Sequence, residues 1–125
     1  MSRPRILILE DDLALRGLLQ EVLQLEDFEV ILRDSFDEIR AAAAEGRADI
    51  IVADFWGGPQ RALSDAGREQ IRELARLLPI ILLTGRMWAT EMTAEELGAR
   101  ALMRKPFDLE DLLSAIQTSL ADSSS

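Results

Sequence analysis

Four places in this chain carry groups that do chemistry together if the fold lets them meet. They are the acid run Glu10-Asp11-Asp12, the single acid Asp54, the hydroxyl of Thr84 and the ammonium of Lys105. Carboxylates brought together repel. At about 4 Å and an effective dielectric near 20, each like-charged pair costs roughly 4 kcal/mol. Such a cluster takes up protons or binds a cation. The chain has no Cys and no His, which excludes thiolate metal sites, zinc sites of the usual kind and Ser-His or Cys-His catalysis. A metal here is therefore held by oxygen, which favours Mg²⁺, Ca²⁺ or Mn²⁺. Glu10, Asp11 and Asp54, with a backbone carbonyl from the loop after Asp54, suit hydrated Mg²⁺. A carboxylate nucleophile, a divalent metal, an ammonium and a hydroxyl are the parts that phosphoryl transfer to an aspartate needs. Asp54 attacks phosphorus in line, the metal and Lys105 stabilise charge on the transferring oxygens, and Thr84 donates a hydrogen bond.

Each group alone has an ordinary explanation. Asp is a common turn former, acids in a first helical turn answer the helix dipole, and a strand-end Thr or a solvated Lys is unremarkable by itself. Their shared placement carries the reading. Ile6-Leu7-Ile8-Leu9 runs into Glu10, Ile50-Ile51-Val52-Ala53 into Asp54, and Ile80-Ile81-Leu82-Leu83 into Thr84, while Ala101-Leu102-Met103 precedes Arg104-Lys105. Short apolar runs without alternation read as strands buried on both faces, the kind found in a parallel sheet. In open sheets of that type ligands bind at the carboxyl ends of the strands.

Between the runs the spacing turns helical. Leu15, Leu18, Leu19, Val22 and Leu23 mark a first helix with Asp12 as N-cap. Phe28 to Leu32 is the second strand. Ser35 and Glu38 form a capping box for a helix that Gly46 stops. Phe55 to Ser64, with Gly57, Gly58 and Pro59, is a loop. Ile71, Leu74, Ala75 and Leu78 mark a helix ending before Pro79. Thr93 to Glu96 belongs to a short helix that Gly98 ends. Asp108 caps a last helix with Leu109, Leu112, Leu113, Ile116 and Leu120 inside. Five strands alternating with five helices imply right-handed crossovers and a parallel sheet covered on both faces. If the first, third and fourth strands are neighbours, Glu10, Asp11, Asp54 and Thr84 share one crevice.

The 125 residues suit one domain, expected over 1–121 with a disordered tail at 122–125. A net charge of −9 argues against nucleic acid and anionic membrane as partners of this domain. No apolar run approaches the roughly 20 residues that span a bilayer, and the apolar run after Ser2-Arg3-Pro4-Arg5 is too short for a signal peptide. The expected compartment is the cytoplasm.

The sequence resembles the receiver domains of two-component response regulators. The matching pieces are Ile6 to Asp12, Ile51-Val52-Ala53-Asp54, Leu82-Leu83-Thr84-Gly85, Leu97-Gly98-Ala99 and Arg104-Lys105-Pro106-Phe107, in the family's order over nearly the whole chain. The resemblance implies a flavodoxin-like, doubly wound α/β fold with strand order 2-1-3-4-5, whose switch point lies between the first and third strands. It implies that a histidine kinase or histidine phosphotransfer protein donates a phosphoryl group to Asp54, with the domain catalysing its own phosphorylation and dephosphorylation. Glu10 and Asp11 would hold Mg²⁺ with Asp54 and the carbonyl of Trp56. Thr84 would hydrogen-bond the phosphoryl oxygen and Lys105 would pair with it. The Lys105–Pro106 bond would be cis. An unidentified downstream protein would read the switch, and the domain would be a monomer or weak dimer.

Three features depart from the family. Pro59 falls one residue later after the acid than usual, the loop before Gly67 is several residues longer, and Leu102 stands where an aromatic is common. The chain has no Tyr, so a muted or differently routed switch is expected. Two other readings compete. A pseudo-receiver, a non-phosphorylated interaction module, draws on the loop and Leu102. A flavin carrier is disfavoured because the acids after the first strand would repel the flavin phosphate.

Overall fold

The computed structural model describes residues 3–10, 12–54, 65–84, 93–104 and 107–123. Among these, strands and helices alternate without exception: β1 (Arg5–Leu9), α1 (Leu13–Leu25), β2 (Glu29–Arg33), α2 (Phe36–Ala44), β3 (Ile50–Asp54), α3 (Asp65–Leu77), β4 (Ile80–Thr84), α4 (Ala94–Leu97), β5 (Ala101–Arg104) and α5 (Leu109–Ser123). The strands form one sheet in the order β2-β1-β3-β4-β5, every pair parallel. This is the expected doubly wound, flavodoxin-like order, with its switch point between β1 and β3. α5 runs through Ser123, two residues into the segment expected to be tail.

Side chains of a strand alternate between faces, and the two cores follow that alternation. Leu7, Leu9, Ile51, Ala53, Ile80 and Leu82 join Ile39 and Ala42 of α2, Ile71 and Leu74 of α3, and Leu97 of α4. Ile6, Ile8, Ile50, Val52, Ile81 and Leu83 join Leu19 and Leu23 of α1 and Leu112 and Ile116 of α5. β3 is buried on both faces until Asp54, which is half-buried. Both apolar layers thus hold the central strands in one register, and that register fixes where their polar ends come out.

The helix ends are made by local chemistry. Glu38 N–H donates to Ser35 Oγ at 3.2 Å, and the Ser35 hydroxyl in turn reaches Glu38 Oε1 at 3.2 Å. Thr93 and Glu96 repeat both contacts at the same distances. Gly46 (φ 72°) and Gly98 (φ 78°) terminate α2 and α4 in the left-handed region that favours glycine. Asp27 takes the same region at φ 67° between α1 and β2.

Three details differ from the sequence reading. β2 starts one residue late, because Phe28 N–H is drawn back to the Leu23 carbonyl at 3.0 Å and closes the end of α1. Leu18 lies on the outside of α1, exposed with Leu13 and Leu25. Ser119 joins the buried stripe of α5 beside Leu112 and Ile116.

Candidate functional site

The register brings separate parts of the chain to one edge. Leu9 of β1 pairs with Ala53 of β3, so the next residues, Glu10 and Asp54, leave the sheet side by side. Asp54 pairs with Leu83 of β4, and Thr84 follows it. Thr84 in turn pairs with Arg104 of β5. Neighbouring strands are about 4.8 Å apart, so Glu10, Asp54 and Thr84 span roughly two strand spacings along the carboxyl edge. By alternation Asp54 continues the row of Ile50 and Val52, on the α1 and α5 face. Thr84 continues the row of Ile80 and Leu82, on the opposite face. The two therefore approach the rim from opposite layers.

Burial separates the groups. Glu10 is 2% exposed and Thr84 is fully buried. Asp54 is half-buried at the rim. A buried carboxylate is costly unless it is hydrogen-bonded or meets a cation. Glu10 Oε1 accepts the backbone N–H of Asp12 at 3.1 Å, which meets part of that need.

The acid run divides its labour. Asp12 is the N-cap of α1: its Oδ1 accepts Ala14 N–H at 3.0 Å and Leu15 N–H at 3.2 Å. The capping explanation holds for Asp12, while Glu10 turns inward toward the sheet edge. Beyond the cap, Arg16 Nη1 donates to Asp34 Oδ1 at 2.7 Å, tying α1 to the segment after β2. Nothing in the sequence pattern announces that pair, since its members are eighteen positions apart and follow no helical or strand period.

Asp11, Trp56, Lys105 and Pro106 lie outside the described residues, as do Gly85 and the long loop from Phe55 to Ser64. Among the described residues no group of three or more His, Cys, Asp or Glu side chains assembles to hold a metal. Glu10 and Asp54 nonetheless place two carboxylates on adjacent strand ends, one buried and one half-buried. Their hard oxygen donors fit Mg²⁺.

Leu102 occupies the row of Leu82 and packs, half-buried, against the core on the α2, α3 and α4 side. Among the described residues no helix is long and apolar enough to cross a membrane.

Known proteins with the same pattern were found by sequence and by structure. The family model for the response regulator receiver domain matches residues 6–117. The uncharacterized transcriptional regulatory protein YkoG of Bacillus subtilis is 33% identical over 124 residues, covering 96% of this chain and 52% of that protein. The regulatory protein VirG of Agrobacterium tumefaciens is 30% identical, covering 92% of this chain and 43% of its own length. This chain therefore spans about half or less of these relatives. The CheY-like receiver domain of Methanospirillum hungatei superposes with a TM-score of 0.78 at 25% identity, over 98% of both chains. FixJ-N superposes with a TM-score of 0.74 at 27% identity, covering 97% of this chain and 96% of that one. The order of strands, the row of strand-end groups and these matches agree, and the chain belongs to the response regulator receiver domain family of two-component signalling.

Proposed function

We propose that this receiver domain, residues 1–121, takes a phosphoryl group onto Asp54 from the phosphohistidine of a histidine kinase or histidine phosphotransfer protein. The observation that carries the reading is the buried carboxylate of Glu10 emerging beside the half-buried Asp54 on the next strand, with buried Thr84 one strand further.

In this reading the N–P bond of the donor breaks as an Asp54 carboxylate oxygen forms the new O–P bond. Glu10, Asp11 and Asp54, with the Trp56 carbonyl, would hold Mg²⁺. That ion, when bound, supplies positive charge to the transferring oxygens. Thr84 donates its hydroxyl to a phosphoryl oxygen, and Lys105 pairs with the phosphoryl group as a fixed positive charge. Hydrolysis of the acyl phosphate by water resets the switch.

The readout is a change in contacts with a downstream protein, made in the cytoplasm by a monomer or weak dimer. Leu102 lacks the ring that family members commonly move behind the Thr84 position, so the signal leaving β4 and β5 is muted or takes another route. NMR shifts on adding a phosphoryl mimic test this. Large changes centred on Leu102 would mean that Leu performs the task.

The reading is tested by following tryptophan emission on adding Mg²⁺ and then beryllofluoride, with Asp54→Asn as control. The wild type should respond to both additions, and the variant should lose the response to beryllofluoride. No response to metal, or an equal response in the variant, would favour a non-phosphorylated interaction module instead.

A further inference from the structure

We infer that Arg16, through its ion pair with Asp34, is a positioning residue for Glu10, one of the carboxylates that would hold Mg²⁺. The inference rests on the metal-binding reading above and adds to it residues outside the ligand set.

The path from the pair to the site is continuous. Arg16 N–H bonds the Asp12 carbonyl at 2.8 Å. Asp12 caps α1 with its side chain, and its own N–H holds Glu10 Oε1 at 3.1 Å. The segment from Leu9 to Leu13 has only three residues between strand and helix. The end of β1 sets the Glu10 backbone, and the first turn of α1, through Asp12 N–H, sets its carboxylate. The first turn itself needs a fixed point. Leu13 is 76% exposed, Ala14 is exposed too, and Leu15 packs only half-buried against the core, so apolar packing holds the start of α1 less firmly than its middle. Its well-buried residues, Leu19 and Leu23, lie one and two turns further on.

The guanidinium of Arg16 supplies that fixed point. It reaches out of α1 to Asp34 at 2.7 Å. Asp34 immediately follows Arg33, and Arg33 pairs with Leu9 in the sheet. The ion pair therefore fastens the helix start to the strand adjoining β1, at the level of the Glu10 row. The Arg16 side chain is 22% exposed against 72% for Asp34, so the guanidinium is the largely covered member. Arg suits such a fixed contact better than Lys because its planar fork is already organised for a carboxylate.

Electrostatics and positioning predict opposite signs, which makes the inference testable. Arg16 is a cation beside an acidic site. If its charge alone mattered, Arg16→Ala would leave the site more negative and tighten Mg²⁺ binding. If Arg16 positions the Glu10 carboxylate, the same change weakens binding.

The experiment is calorimetric titration of Mg²⁺ into the whole chain and into Arg16→Ala, Arg16→Lys, Asp34→Ala and the Arg16→Ala/Asp34→Ala double variant. Amide hydrogen exchange at Asp12, Ala14 and Leu15 is measured on the metal-free proteins alongside. Arg16→Ala should weaken Mg²⁺ about threefold to tenfold, between the effect of an exposed ion pair and that of a group touching a metal ligand. Arg16→Lys should recover part of the loss. The double variant should be no worse than the worse single one, because both remove one interaction. Exchange at the three amides should quicken in the same variants. Binding by Arg16→Ala as tight as or tighter than wild type, or losses that simply add in the double variant, would overturn the inference while leaving the proposed function intact. A wild type that binds no Mg²⁺ would remove both.

Discussion

Replacing Glu10 with Gln should make the metal-free protein more stable and its Mg²⁺ complex weaker. Glu10 is almost fully buried and emerges beside Asp54 on the next strand. At one strand spacing, about 4.8 Å, and an effective dielectric near 20, two such charges repel by roughly 3 kcal/mol. Asp54 is half-buried, so solvent screens its side of the pair and the usable share falls to about 1–2 kcal/mol. Gln keeps the acceptor oxygen that Asp12 N–H needs at 3.1 Å, so the loop loses charge without losing its hydrogen bond. For a domain of this size each kcal/mol moves the melting midpoint by about 3–5 °C. Thermal unfolding in EDTA should therefore show Glu10→Gln melting roughly 3–10 °C above wild type. With excess Mg²⁺ the order should reverse or close, because binding stabilises the wild type more. A variant that melts lower in EDTA would refute the idea that Glu10 is held at an electrostatic cost, and with it the account of why this edge wants a cation.

Other outcomes follow from the fold itself. Asp27→Gly should raise stability by up to about 1 kcal/mol in urea unfolding, because Asp27 is exposed and sits at φ 67°. Ser35→Ala should cost about 1 kcal/mol in the same assay through loss of the N-cap bond to Glu38. Ile51→Ala should cost roughly 2–5 kcal/mol, since Ile51 is fully buried in the central strand and its loss leaves a cavity between layers.

Much of this architecture was legible because the strands are unbroken apolar runs. β1, β3 and β4 each bury nearly every residue, which only a sheet covered on both faces requires. Ser35 with Glu38, and the glycines at 46 and 98, announced helix ends through chemistry confined to a few residues. The strand-end placement of Glu10, Asp54 and Thr84 followed from the same runs. Tertiary matters were harder to read. The exposure of Leu18 depends on how α1 is rotated against the sheet, and an apolar residue on the margin of a helical stripe does not declare its side. Ser119 is buried because its position on α5 faces the core, whatever its polarity. Arg16 and Asp34 meet because β2 lies beside β1, a fact of topology that residue spacing alone does not contain.

The central claim is that Asp54 accepts a phosphoryl group from a phosphorylated nitrogen. Incubating the chain with Mg²⁺ and a small phosphoramidate, then measuring intact mass and mapping the modified peptide, tests it most directly. The account predicts one added phosphoryl group, located on Asp54, lost in Asp54→Asn and suppressed by EDTA. A chain that stays unmodified under these conditions, or one modified equally when Asp54 is Asn, would contradict it.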